Sequence, residues 1–248
     1  MKVYSSIYKG LFTLIFLSFV ACNSISVQDK PYKKTKKQII LGSIGQDANY
    51  LLEQHYSNSA IPNFTTPIKV QATAVSFRKS SIKSFQKAQA FQTHKVQIKY
   101  IDSIELKPRF LNLEIVDQVA FINMLNAKEN MDIKQYLINQ NKSHIITHVS
   151  VAFTESTIQD IQEAEEAFIE LTGKKSIALH LYSNNKLIKV VGFFEGVVFA
   201  YKTASCCWKE NSKHQLEIVD LVDGKNKCPN KSYLSAQKAI KKINYYKF

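Results

Sequence analysis

The chain has 248 residues, a formal charge of +13 and a hydrophobic fraction of 45%, with 15 Phe and 12 Tyr. That much apolar surface can offset the entropy of ordering a backbone, which excludes a wholly disordered chain, and the length suits one hydrophobic core or two small ones. Seven Gly and five Pro are too few for dense turn-rich repeats or a glycine-rich nucleotide loop, and the positive excess favours polyanions or anionic lipid headgroups as partners.

Lys2 and Lys9 precede an eleven-residue apolar run, residues 11–21, interrupted only by Thr13 and Ser18. The run is too short to cross a hydrocarbon core of about 30 Å and has the size of the apolar part of a cleavable signal. It ends in Phe19-Val20-Ala21-Cys22, with a small residue directly before the cysteine. This order of features resembles the signal peptide and lipobox of bacterial lipoproteins, although that family more often has Leu where this chain has Phe19. The resemblance covers under a tenth of the chain. It implies removal of residues 1–21, a diacylglycerol thioether on Cys22, and a cell-envelope location at the outer membrane, facing the periplasm or outward. Membrane lipid attached through Cys22 is then the first partner, since several acyl chains hold a protein where one binds only reversibly.

Residues 22–38 carry Lys30, Lys33, Lys34, Lys36 and Lys37 around Pro31 and read as a basic tether, with a single domain over 39–248 that could divide into two subdomains near 143. Residues 46–55 suggest one or two helical turns before Pro62 and Pro67. Alternation predicts strands over 68–78, 96–101 and 110–116. From Asp117 the period changes, and Val119, Ile122, Met124 and Leu125 predict one helix, Ile133, Tyr136 and Leu137 a second. Residues 143–153 return to a strand. In the next helix Thr157 and Asp160 read as a capping box, Ile158, Ile161, Ala164, Phe168 and Leu171 as one apolar face, and Gly173 as the stop. Residues 177–182 and 187–194 read as a hairpin turning at Asn184-Asn185, which tolerate positive φ. Strands over 197–201 and 215–222 follow, then a basic amphipathic helix from Ser232 using Leu234, Ile240 and Ile243. Strands outnumber helices and no βαβ series occurs, so the expected class is α+β, a mainly antiparallel sheet with several packed helices. The pentapeptide Leu-Glu-Ile-Val-Asp occurs at both 113–117 and 216–220, too short an echo to indicate a duplication.

Charge is unevenly placed. Residues 54–101 hold seven Lys or Arg and no acid, 143–173 six acids and no Lys or Arg, and 224–248 seven Lys and no acid. With Cys22 assigned to lipid, Cys206, Cys207 and Cys228 remain; in an exported protein a disulfide from Cys228 to Cys206 or Cys207 is the default, and adjacent strand residues face opposite ways. No cofactor and no metal site is expected, because the thiols lack a C-x-x-C spacing. His144 and His148 on a strand would lie about 13 Å apart, too far to share an ion. Cys207, His214 and Glu195 are the weak catalytic candidates, without a motif joining them. Lys238, Lys241, Lys242 and Lys247, interleaved with Tyr245, Tyr246 and Phe248, are candidate contacts to an anionic surface; nucleic acid is not expected for an exported chain. The reading is an envelope lipoprotein with a non-catalytic binding or structural role toward an envelope protein, a glycan or an anionic surface; the alternative is an exported hydrolase acting on envelope material.

Overall fold

A computed structural model describes residues 24–50, 53–173, 176–224 and 226–243, with the side chains of all of these except 48–55 and 241–243. In chain order the elements are β1 (Ser24–Val27), β2 (Lys30–Lys34), β3 (Ile44–Tyr50), β4 (Glu53–Ala60), β5 (Ile68–Ser76), α1 (Lys79–Phe91), β6 (Arg109–Ile115), α2 (Gln118–Asn126), α3 (Met131–Asn139), β7 (His144–Ala152), α4 (Glu155–Glu163), β8 (Glu166–Gly173), β9 (Ser176–Ser183), β10 (Lys186–Gly192), β11 (Val197–Glu210), β12 (Leu216–Asp223) and α5 (Ala236–Ile243). The class is the expected α+β.

All strand pairs are antiparallel, in the order β1-β2-β11-β7-β6-β5-β8-β9-β10. The two long apolar strands β7 and β11 are the shared spine: beyond the point where β6 and β2 leave them, β3 continues the edge of β7 and β12 the edge of β11. Because β7 pairs with both β6 and β3, strands from either side of residue 143 belong to one hydrogen-bonded network.

Alternation gives β6, β7 and β11 two different buried faces. Leu111, Leu113, Val149, Val151 and Val198 point into a large, mostly aliphatic core that also takes Ile169, Leu179, Leu181 and the buried faces of α2 and α4. Phe110, Ala152, Val197 and Phe199 point the other way, where Phe77, Phe85 and Ile82 join them with Ile25 and Val27 from β1. The rings pack closely, Phe77 to Phe110 at 4.9 Å and Phe110 to Phe199 at 5.0 Å between centroids.

Five expectations are corrected. Residues 24–34 are a hairpin, not a tether: Gln28 and Asp29 both adopt positive φ at its two-residue turn, and Ile25, Val27 and Tyr32 are buried. Residues 46–50 and 53–55 are strand, because β7 offers its edge to Ile44 and Gly45 and β4 pairs along the rest of β3. Residues 96–101 have no strand partner; the Val96 N–H donates instead to Gln89 Oε1 at 2.7 Å. The helix expected to run to Gly173 ends at Glu163 and is capped by Thr154, whose hydroxyl accepts the Thr157 N–H at 3.3 Å. Ala167, Ile169 and Leu171 then alternate inward on β8, since β5 and β9 flank it with open ladders. Among the described side chains of α5 the buried ones are Ala236 and Ala239, which allow close approach to the sheet, while Ile240 and, ahead of the helix, Leu234 are exposed; the side chain of Ile243 lies outside the described residues.

Candidate functional site

A broad concave surface lies beside a helix that the reading from sequence had not placed. In α1, Ile82, Phe85 and Ala88 recur at helical spacing and sink into the aromatic cluster. Ser81 ties off the start by accepting the Arg78 N–H at 2.8 Å. At the other end the Gln92 side chain replaces a strand: its amide donates to the Val198 carbonyl at 2.6 Å and its oxygen accepts the Val198 N–H at 3.1 Å. The first turn is thereby capped locally, and the last is fixed against β11.

With one face buried, Lys79, Lys83 and Lys87 fall at i, i+4 and i+8 on the outside. At about 1.5 Å of rise per residue their Cα atoms are spaced about 6 Å apart. They line a groove of about 1010 Å³ together with Ser24, Ile25 and Lys34 of the β1–β2 hairpin and Phe91 at the last turn of α1. Among the described residues that line it, none is Asp or Glu. Lys36 Nζ lies 4.7 Å from the centroid of the Phe91 ring, and that ring is 68% exposed. An open trough lined by ammonium groups and serines with one exposed aromatic can hold anionic oxygens and rest against an apolar boundary.

Beneath the hairpin, the same sheet face turns polar. Asn112 and Ser150 are register partners, and the Ser150 hydroxyl donates to Asn112 Oδ1 at 3.3 Å. In the next row His148 Nε2 lies 3.0 Å from Glu114 Oε1, and its Nδ1 3.0 Å from Thr147 Oγ1. His148 is register partner to Lys202, which bonds Asp223 at 3.1 Å. Tyr32 covers the row, edge-on to the imidazole at 5.9 Å, with Lys202 Nζ 5.8 Å from its ring centroid. Burial lowers the His148 pKa against the opposing pull of Glu114, and burial lifts the Tyr32 phenol to about 12. A second cluster joins Lys33, Asp47 and Tyr201, whose hydroxyl donates to Asp47 at 3.1 Å, while Tyr56 donates to the His144 carbonyl at 2.9 Å. These interactions stitch the hairpins onto the spine. His148 could exchange a proton with Glu114, but Tyr32 lies over the row.

The residues singled out from sequence are dispersed. Cys207 is bonded to Cys228, with Cα atoms 5.6 Å apart, and is fully buried. Its neighbour Cys206 points into the main core on the opposite face, where burial raises its thiol to about 12. Strand alternation lets one of the two face Cys228, and β11 turns Cys206 to the core, which leaves Cys207. Cys207 therefore offers no free thiol to act as a nucleophile. His214 adopts positive φ at the turn between β11 and β12, where its Nδ1 meets Glu210 Oε1. Glu195 accepts the Gly192 N–H at 2.6 Å and closes a short 3₁₀ turn; it lies at the opposite end of β11 from Cys207, roughly 30 Å away at the usual strand rise. His144 and His148 share β7 but have separate partners, Ser205 for the first and Glu114 for the second. Lys238 is exposed on α5, whose Gln237 donates to the Ile138 carbonyl at 3.0 Å. Cys22, Tyr245, Tyr246, Lys247 and Phe248 lie outside the described residues, as do the side chains of Lys241 and Lys242.

Two features were missed in the sequence. The lysine stripe was visible as part of an acid-free stretch, and pairing its four-residue spacing with Ile82, Phe85 and Ala88 would have revealed the helix. The contact between Glu114 and His148 depends on strand register and had no local signal. Among the described residues no three His, Cys, Asp or Glu side chains come together as a metal site requires, and no helix is long and apolar enough to cross a membrane. No family model, no curated protein and no solved structure matches this chain.

Proposed function

We propose that this chain is a lipid-anchored protein of the bacterial cell envelope, held through Cys22, whose folded domain binds a partner instead of transforming a substrate. The observation that carries the reading is the Cys207–Cys228 disulfide. Such bridges persist in oxidising, exported compartments, and this supports the export signal read in residues 1–21 and the lipobox Phe19-Val20-Ala21-Cys22. The binding role rests on the groove lined by Lys34, Lys79, Lys83 and Lys87. The hydrolase alternative had Cys207, His214 and Glu195 as its chemical groups, and the first is bonded while the other two occupy separate turns. The outer membrane is the proposed site, with the domain on either face.

The test is the mass of the N-terminal peptide of protein purified from envelopes. Acylated Cys22 as the first residue is the expected result, with loss of the lipid mass and release to the soluble fraction in Cys22→Ser. An intact leader, or a mature N-terminus elsewhere with Cys22 alkylatable as a free thiol, would sink the proposal.

A further inference from the structure

The groove sits beside the proposed anchor. Ser24, in its lining, begins β1 and is register partner to Lys33. Cys22 is two residues earlier, so its Cα lies no more than about 7 Å of extended chain from that of Ser24. Asn23 alone separates Cys22 from the first residue of β1. Any lipid on Cys22 therefore enters the bilayer close beside the groove. There Lys79, Lys83 and Lys87 face the same way at a spacing where like charges repel one another; among the described lining residues there is no acid, and Asp102 acts on Lys79 from outside the lining. The stripe lies where the leaflet holding Cys22 would supply countercharge, and the exposed Phe91 at its end suits the interface between headgroups and acyl chains.

We infer that the α1 groove is a membrane-docking surface that takes the phosphate groups of anionic lipid headgroups in the leaflet holding Cys22, so that the domain lies with α1 against the bilayer. This deepens the lipid-anchor reading and rests on it for its geometry. Each lysine near such a surface adds a comparable increment of attraction, and together the three make the orientation depend on lipid charge and on salt.

The test uses the full chain purified from envelopes and reconstituted into vesicles of phosphatidylcholine alone or mixed with phosphatidylglycerol, reading the acetylation rate of each lysine by mass spectrometry. Lys79, Lys83 and Lys87 are expected to react roughly tenfold more slowly on the phosphatidylglycerol vesicles, and added salt should abolish the difference. Lys213 and Lys231, exposed elsewhere, should react alike on both. Equal rates for the α1 lysines on the two vesicles overturn the inference. In the triple variant Lys79→Gln, Lys83→Gln, Lys87→Gln, which changes only the solvent side of the helix, the composition dependence read at Lys34 should vanish; its persistence also overturns the inference. Equal slowing by soluble glycerol phosphate on phosphatidylcholine vesicles would make the groove a general phosphate site and remove the membrane assignment. A chain found free in the supernatant of phosphatidylcholine vesicles instead sinks the anchor, and the comparison of labelling rates still reads the groove.

Discussion

The two faces of β6, β7 and β11 use the same backbone for different ends. On one face Leu111, Leu113, Val149 and Val151 meet side chains from most of the other elements in a large, mainly aliphatic core. On the other, a handful of rings around Phe77 holds α1, and the row Glu114–His148–Lys202 lies under Tyr32. The first face distributes its stabilisation over many interchangeable contacts. The second concentrates it in a few groups, and those groups position the surface assigned to binding. Damage to the second face should therefore be more local and more selective in its consequences.

The largest expected effect breaks the aromatic side. Phe77 is fully buried and stacks with Phe85, Phe110 and Phe199. Phe77→Ala removes the common member of all three contacts and leaves a cavity, a loss of about 3–5 kcal/mol. Leu113→Ala on the aliphatic face should cost about 2–5 kcal/mol. Hydrogen exchange separates them: Phe77→Ala should selectively speed exchange across α1, while Leu113→Ala should lower protection in β6 and β7 without singling out the helix. Uniform loss in both variants would mean that the two faces are one cooperative unit.

Why the aromatic side was hard to read from sequence follows from how it is built. The strand pattern was plain in β5, β6, β7 and the β9–β10 hairpin, where period-two alternation or paired turn asparagines leave few other solutions. In α1 only three apolar residues mark the buried stripe, and three serines dilute it. Its docking depends on Gln92 meeting Val198, a contact across 106 positions. Over 164–173 the apolar residues fit a helix or a strand, and the decision came from the open ladders of β5 and β9. The repeated pentapeptide makes the same point. At 113–117 it leaves the strand and Asp117 caps α2 by accepting the Ala120 N–H, whereas at 216–220 it stays within β12, paired to β11. Neighbours, not the five residues, choose between these outcomes. The disulfide was legible in part: alternation required one of Cys206 and Cys207 to face Cys228, but which one depended on the face that β11 turns to the core.

A middle-sized effect concerns the far end of the spine, where β11 outruns β7. Trp208 exchanges backbone hydrogen bonds with Tyr233 at 2.7 and 2.9 Å, and the adjacent Cys207–Cys228 bridge closes a loop with a sequence separation of 21. Opening that loop with Cys228→Ser should lower stability by about 3 kcal/mol in the chain-entropy account. The loss should appear as a shift in the urea midpoint, with exchange rising first over residues 226–235 while α1 stays protected. Cys206 should resist alkylation until the chain unfolds, because its thiol is buried with a pKa near 12. Fast alkylation of Cys206 in the folded protein would contradict the placement of β11.

The smallest effect sharpens the comparison by pH. His148 is buried, its pKa lies below the ordinary 6.5 chiefly through desolvation, and the charged groups acting on it are Glu114, Lys202, Asp223 and Lys30. Its depressed value means that the unfolded chain takes up a proton at a higher pH than the folded one. Stability from this group is therefore full above about 6.5, declines as pH falls from there toward the folded value, and then levels off. The slope contributed by one such histidine is at most about 1.4 kcal/mol per pH unit. His144, also lowered by burial, adds to the same decline. His148→Gln should flatten part of the fall in urea midpoint between neutral and mildly acid solution, leaving the share that belongs to His144. The aliphatic face has no titrating group in this row, so Leu113→Ala should lower the whole curve with little change in its shape. If His148→Gln leaves the slope unchanged, the imidazole is solvated in the folded protein, and Tyr32 does not seal the polar row as its edge-on packing implies.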